Sequence, residues 1–197
     1  EILKNKFELG LFDNPFVEVD QVKYLVNTGR NIKFGREAQK QSMVLLKNES
    51  VLPLKKNINI FLDGFDTKNV LHGNVVSKIE DADVVISYVH TVFNGNQPSG
   101  INRLTDNFLS SIFPNQDLNF SSEILNRLSS FASKKPLIVV VDLNRPAILE
   151  KINELSSGLL ATFGVHEEVV FETLFGDSAP TGKLPFEIPS SMKAVEE

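Results

Sequence analysis

Four polar side chains that could take part in chemistry lie between residues 90 and 119. His90 comes directly after an apolar segment, and Arg103, Asp106 and Asp117 follow it. A carboxyl group can donate a proton, while a histidine or an arginine can bind a hydroxyl group or orient a carboxylate. We therefore treat Asp106 and Asp117 as candidate proton donors, and His90 and Arg103 as candidate substrate-binding residues.

Common structural roles remain open for each of these residues. Loop carboxylates are often solvated or cap a helix, and a histidine after a strand often only stabilises a turn. His166, Glu167 and Glu168 form a second polar cluster, but the helix dipole alone favours acidic residues where a helix begins. We interpret that cluster as a helix start, and Asp142 and Arg145 as residues that fix a turn after a strand.

Composition excludes several classes of function. The net charge of -5 gives no basic surface for nucleic acid. The chain has no cysteine, which excludes disulfides and thiolate chemistry, and its three histidines are far apart in sequence, which disfavours a metal site. No apolar run approaches the roughly 20 residues that span a bilayer. We expect no cofactor, no metal, no nucleic-acid partner and no membrane span, and the compartment stays open.

One stretch, residues 176–183, superficially resembles a phosphate-binding loop. Its glycines are separated by five residues instead of four, and Leu184 stands where a Mg²⁺-binding Ser or Thr is needed. The stretch also follows a predicted helix, whereas a phosphate-binding loop follows a strand. These differences argue against nucleotide binding.

Short apolar segments alternate with helical patterns along the middle of the chain. The predicted strands are residues 57–62, 83–89, 137–143 and 158–163. The predicted helices are residues 35–46, 120–131, 146–155 and 166–175. This alternation predicts a mostly parallel sheet with helices on both faces. Ligands bind such sheets beyond the carboxyl ends of the strands, so the candidate site lies in the loops after Val89, Leu143 and Phe163.

Motifs spread over almost the whole chain resemble those of one enzyme family. They are FELGLFDNPF at residues 7–16, REA at 36–38, SMVLLKN at 42–48, LPL at 52–54, KKPLIVVV at 134–141, NRP at 144–146, LFGD at 174–177 and PTGKLPF at 180–186. Each motif is short, but their shared order makes a specific signal. The chain resembles the second, C-terminal domain of glycoside hydrolase family 3.

The resemblance implies a fold and a division of labour. The fold would be α/β, a three-layer α/β/α sandwich with a mostly parallel sheet over residues 31–197, preceded by a junction at residues 1–30. The parent would be a retaining β-glucosidase or β-xylosidase, in which an N-terminal barrel domain supplies an Asp nucleophile and the sandwich extends a loop over the carbohydrate substrate. No cofactor is needed. The chain would then be a piece of a longer protein, truncated at both ends.

The site loop departs from the family pattern. Many members carry a Glu as acid/base there, but residues 90–114 contain no Glu, and their one carboxylate is Asp106. The acid/base is then Asp106 or Asp117, or comes from elsewhere, or has been lost, and Asp117 could instead be positional. We expect residues 90–119 to be the most mobile internal segment, because their partner surface belongs to the barrel.

Two other hypotheses remain beside the glycosidase. The sandwich could be a catalytically inactive module that serves domain packing or carbohydrate binding. It could also be a flavodoxin-like nucleotide or signalling domain, which the alternation of strands and helices alone would fit.

Overall fold

The computed structural model of the chain describes residues 1–91 and 117–196. Two compact units divide the chain, Glu1–Ala38 and Gln39–Glu197. The first unit contains α1 (Ile2–Glu8), α2 (Val19–Leu25) and most of α3 (Gly29–Ser42), and none of the residues in these helices is buried. The predicted boundary between residues 30 and 31 falls within α3, and that division stays a prediction.

The second unit is built on one mixed, mostly parallel sheet. Within the described residues the sheet has six strands in the order β1-β6-β5-β4-β2-β3. The strands are β1 (Val44–Asn48), β2 (Asn59–Asp63), β3 (Asn74–Val75), β4 (Val84–His90), β5 (Leu137–Asp142) and β6 (Gly158–Thr162). The β1–β6 pair is antiparallel and every other pair is parallel. The four strands predicted from the sequence are confirmed as members of this sheet.

Burial explains why the central strands read as continuous apolar runs. Every residue of β5 and of β6 is buried, as expected for parallel strands that are covered on both faces. Successive side chains of β5 point to opposite faces, so Val139 and Val141 join one core while Ile138 and Val140 join the other.

Helices cover both faces of the sheet. On one face, Leu128 of α4 (Ser122–Ala132) and Ile152 of α5 (Glu150–Leu155) belong to the same buried cluster as Val139. On the other face, α6 (Glu167–Leu174) contributes Phe171 and its neighbours to the second cluster. This arrangement confirms the three-layer α/β/α architecture. A short helix, α7 (Met192–Glu196), ends the described chain.

The helix predicted over residues 35–46 is wrong at its C-terminal end. Helix α3 stops at Ser42, and the apolar residues that follow form β1. Strand β6 is buried on both faces, and its outer edge needs hydrogen-bond partners that β1 supplies through pairs such as Val44 with Ala161. Pairing with a distant strand therefore overrides the local helical pattern.

The helix predicted from residue 146 begins later than expected. Its first residue is Glu150, while Ala147 and Leu149 are buried in the core that α4 and α5 share. The Ile148 N–H donates to the Leu118 carbonyl at 2.9 Å, a bond outside the helical ladder. Pro146 therefore lies in the connection between β5 and α5 and not in the first turn of the helix.

In the parts of the chain that the structure describes, no helix combines the length and the hydropathy that crossing a bilayer requires.

Candidate functional site

A cleft of ≈ 550 Å³ opens at the carboxyl edge of the parallel strands. Its walls come from the ends of β4 and β5, from the turns after β2 and β6, and from the first turn of α6. The lining residues are Gly64, Asp66, Asn69, Tyr88, His90, Asp142, Gly164, Val165, His166 and Glu167. The cleft lies where parallel α/β sheets usually bind their ligands.

Asp142 is the buried charge of this cleft. It ends β5 and only 4% of its surface is exposed. Its Oδ1 accepts hydrogen bonds from the Gly164 N–H at 2.7 Å and the Thr162 hydroxyl at 3.4 Å. Its Oδ2 accepts one from the Asn144 side-chain amide at 3.0 Å. A buried carboxylate loses its hydrogen bonds to water, and these three donors replace them.

His90 ends β4 and stands beside Asp142 in the parallel register. Its Nδ1 lies 3.4 Å from Asp142 Oδ2, and 64% of its side chain is exposed. The ring also meets the Tyr88 ring edge to face, with centroids 4.6 Å apart and an interplanar angle of 87°. Two side chains that are fixed by the sheet therefore hold the imidazole at the rim of the cleft.

Tyr88 connects the cleft to the core. Its ring lies 4.9 Å from that of Phe65, which lies 5.0 Å from that of Phe171 in α6. Burial, followed by the charge of Asp142, raises the pKa of Tyr88 above its ordinary value, and a hydrogen bond with Thr162 opposes the shift. The phenol is therefore neutral at physiological pH.

The opposite wall of the cleft contains carboxylates that hold a turn together. Glu167 Oε2 accepts hydrogen bonds from the Asp66 N–H at 3.0 Å and the Asn69 side-chain amide at 2.7 Å. Asp66 forms an ion pair with Lys68 at 2.6 Å. Hydrogen bonds from the Lys68 side chain and backbone lower the pKa of Asp66. Glu167, in the first turn of α6, thus ties this helix to the turn after β2. This contact fits the interpretation of the acidic cluster as a helix start.

The described residues on either side of residues 92–116 are bonded to the end of β5 and the turn after it. The Thr91 N–H and hydroxyl both donate to the Asp142 carbonyl, each at 3.1 Å. After the interval, the Arg145 guanidinium donates to the Asp117 carbonyl, and the Ile148 N–H donates to the Leu118 carbonyl. Both flanks are therefore anchored to one short stretch, residues 142–148.

Asp117 lies outside the cleft lining and is exposed. Its Oδ1 accepts hydrogen bonds from the Asn119 N–H at 2.9 Å and from the Asn119 side-chain amide at 2.7 Å. These bonds, with a smaller contribution from the charge of Arg145, lower the pKa of Asp117. These contacts fit the positional alternative, in which Asp117 fixes a turn, and its role as acid/base stays a prediction.

Three other candidate site residues came from the sequence, and the structure describes one of them. His90 lines the cleft. Arg103 and Asp106 lie outside the described residues, and so does most of the segment for which we expect high mobility. The structure adds Asp142, which sequence reasoning had assigned to a turn. The sequence did contain a signal for Asp142. When the apolar runs of β4 and β5 are paired as parallel neighbours, Asp142 falls beside His90.

Within residues 1–91 and 117–196, no group of three or more His, Asp or Glu side chains could hold a metal ion.

The sandwich and the cleft together define an α/β domain of the class that places a ligand or a catalytic group at the carboxyl edge of its sheet. Residues 71–197 match the model of one family, the glycosyl hydrolase family 3 C-terminal domain. The chain belongs to this family, and the resemblance noted from its motifs is confirmed.

Two similar proteins are β-glucosidases by name. The "Probable beta-glucosidase C" of Aspergillus flavus is 34% identical over 201 aligned positions, which cover 99% of the chain and 30% of the relative. The "Periplasmic beta-glucosidase/beta-xylosidase" of Dickeya chrysanthemi is 32% identical over 196 positions, which cover 98% of the chain and 29% of the relative. The chain thus spans about 30% of the length of these relatives.

Solved structures show the same fold. The β-glucosidase from Listeria innocua in complex with glucose superposes with a TM-score of 0.69 at 22% identity, covering 95% of the chain and 31% of that structure. β-glucosidase 3B from Thermotoga neapolitana superposes with a TM-score of 0.62 at 16% identity. At these identities the likeness supports the α/β sandwich fold and carries no argument about substrate.

Proposed function

We propose that the chain is the sandwich domain of a retaining β-glucosidase or β-xylosidase and completes a sugar site on a barrel domain of the same parent protein. The observation that carries this proposal is the family match over residues 71–197 in a chain that spans about 30% of its relatives. The relatives are β-glucosidases by name, and one is also a β-xylosidase.

The carboxylates of the cleft support a division of labour between two domains. A retaining glycosidase needs a nucleophile and an acid/base about 5–5.5 Å apart. All three described carboxylates of the cleft are engaged by neighbouring groups of the fold. Asp66 forms an ion pair with Lys68, while Asp142 and Glu167 accept hydrogen bonds. The described part of the cleft therefore offers positioning and binding groups, and the nucleophile is expected on the barrel.

The N-terminal unit carries apolar side chains suited to packing against another domain. Phe7, Phe12 and Phe16 are 64%, 56% and 82% exposed, and the rings of the first two lie 4.5 Å apart. Exposed apolar patches of this kind mark interaction surfaces. The partner proposed for this surface is the N-terminal barrel domain of the same parent protein.

Within the proposal, His90 contacts the carbohydrate and Asp117 has a positional role. Arg103 remains a proposed substrate contact and Asp106 a proposed acid/base, both in the undescribed interval. An acid/base from elsewhere, or its loss from this copy, remains an alternative. Its loss would leave an inactive module for domain packing or carbohydrate binding.

The charge of the cleft argues against the nucleotide hypothesis. Two carboxylates that have no lysine or arginine ion pair among the described residues, Asp142 and Glu167, line the edge at which a flavodoxin-like domain would hold a phosphate group. Negative charge at that position repels an anionic ligand. A neutral polyhydroxyl ligand suffers no such penalty.

The test compares the chain alone with the chain joined to its barrel. We expect the chain alone to fold, to leave aryl β-glucosides and β-xylosides intact at high protein concentration, and to bind the free sugars weakly. The joined protein should hydrolyse an aryl β-glucoside or an aryl β-xyloside. If the chain alone turned over such a substrate, and Asp106→Asn or Asp117→Asn abolished the turnover, the site would be complete without a barrel and the proposal would fail.

A further inference from the structure

The buried carboxylate of Asp142 is held by more bonds than a strand end needs. A tight turn after β5 would be satisfied by backbone bonds, yet three separate donors from Gly164, Thr162 and Asn144 converge on this side chain. All three lie on segments at the carboxyl edge. His90 Nδ1 also lies near Oδ2, at 3.4 Å.

These contacts restrict the protonation of the imidazole. Three donors converge on the Asp142 side chain, and a carboxylate can only accept hydrogen bonds. His90 Nδ1 lies 3.4 Å from this carboxylate, so a hydrogen on Nδ1 points at an acceptor, whereas a lone pair there would face like charge. The contact therefore favours the Nδ1–H tautomer of neutral His90. Its Nε2 then has a free lone pair. A solvated histidine has no partner that selects the Nδ1–H tautomer.

The position of the ring directs that lone pair away from Asp142. The imidazole contacts the Tyr88 ring edge to face, and its Nδ1 lies next to the Asp142 carboxylate. Nε2 lies across the ring from Nδ1, and 64% of the side chain is exposed at the cleft. A ligand in the cleft can therefore reach Nε2.

We propose that Asp142 is a positioning residue, which holds His90 as the Nδ1–H tautomer so that Nε2 accepts a hydrogen bond from a hydroxyl group of a carbohydrate in the cleft. The identity of the ligand rests on the proposed function, whereas the tautomer rests on this chain alone. An orienting carboxylate of this kind acts on binding through the histidine and does not touch the substrate.

The first experiment measures the tautomer directly. The chain has three histidines, His72, His90 and His166, so long-range ¹H–¹⁵N NMR spectra of the chain at about pH 8 contain few imidazole signals. His90→Gln identifies the signal of His90 by its disappearance. We expect the Nδ1–H pattern for His90. The Nε2–H pattern, or a mixture of the two tautomers, would overturn the proposal.

Matched variants then test the cause. In Asp142→Asn, the oxygen still accepts from the Gly164 N–H, so the amide nitrogen faces His90 and donates to Nδ1. We expect the tautomer to change to Nε2–H. Asn144→Ala removes a different partner of the same carboxylate and should leave the Nδ1–H form in place. Retention of Nδ1–H in Asp142→Asn would also overturn the proposal.

The second experiment measures the consequence in the protein joined to its barrel. Asp142→Asn should lower kcat/KM for an aryl β-glycoside about 3- to 10-fold, as for loss of one hydrogen bond. In a His90→Gln background, where the glutamine oxygen can accept without help from Asp142, the same substitution should have little effect. An equal loss in both backgrounds would show a merely structural role and contradict the proposal.

The two arms separate two kinds of failure. If the joined protein hydrolyses no aryl β-glycoside, the proposed function fails, and the NMR experiment still decides whether Asp142 fixes the tautomer. If hydrolysis is present but His90 is the Nε2–H tautomer, the proposed function stands and the positioning role is rejected.

Discussion

Tyr88 is the residue at which the chemistry of the cleft and the packing of the core meet. One side of its ring contacts Phe65, and another contacts His90. Burial and the nearby Asp142 charge raise the pKa of its phenol above the ordinary value of 10.0. The neutral hydroxyl is therefore part of the folded state, and its ionisation opposes folding.

This shift predicts an alkaline decline in stability. Between the unfolded and folded pKa values, the native chain binds a proton that the unfolded chain has released, so the free energy of unfolding falls as pH rises. The contribution is fully present below about pH 10 and is lost as pH rises through the folded pKa. Urea unfolding at about pH 8, 10 and 11 should show a shallower decline in Tyr88→Phe than in the wild type. Parallel declines would contradict the cause assigned here.

Among the helices, α4 is attached to the sheet chiefly through buried apolar side chains. Leu128 is fully buried in the core with Val139 and Ile152, whereas Ser129, its neighbour in the same helix, is exposed. Alanine is a good helix former, so replacing either residue preserves the helix itself. The two positions therefore separate packing from helix propensity.

We expect Leu128→Ala to lower the free energy of unfolding by about 2–5 kcal/mol, since it leaves a cavity under a rigid sheet. The matched variant Ser129→Ala should change it by no more than about 0.5 kcal/mol. Chemical denaturation with both variants provides the measurement. A loss below about 1 kcal/mol for Leu128→Ala would mean that the helix collapses onto the sheet and fills the space.

Elements whose pattern is local were predictable from the sequence, and those set by distant partners were not. The continuous apolar run of β5 and the helical spacing of α4 each identify their element without help. The residues of β1 fit a helix or a strand equally, and only the unpaired edge of β6 decides between them. The late start of α5 depends on the burial of Ala147 and Leu149, which no local pattern reveals.

The same distinction applies to the cleft. Its location follows from strand order alone, because ligands bind parallel sheets at the carboxyl edge. The role of Asp142 depends on donors from Gly164 and Asn144 in different turns, and sequence spacing does not show that they converge. His90 was identified because it directly follows a recognisable strand.

For the molecule as a whole, folding is concentrated in the second unit. Among the described residues, both buried apolar clusters consist of residues from Met43 onward. The start of this unit is bonded to α6, because the Gln39 side chain accepts from the His166 N–H and Lys40 pairs with Glu172 at 2.9 Å. A chain that begins near residue 39 keeps the whole core and these contacts.

Deletion of residues 1–38 should therefore leave a chain that unfolds cooperatively at a thermal midpoint close to that of the full chain. A shorter deletion of residues 1–28, which spares α3, is the control for the cut within that helix. Differential scanning calorimetry compares the three chains. A broad, uncooperative transition in the chain that starts at residue 39 would show that the first unit is required for folding.

The anchoring of Thr91 and Leu118 to residues 142–148 has an evolutionary consequence. Since both junctions of the interval are bonded to one short stretch, insertions and deletions between residues 92 and 116 need not be transmitted to the strands. Lineages can then diversify that interval while inheriting the scaffold unchanged. Exchanging it for the corresponding stretch of the Dickeya relative should leave the free energy of unfolding of the sandwich nearly constant, so that new specificities can arise at little risk to folding.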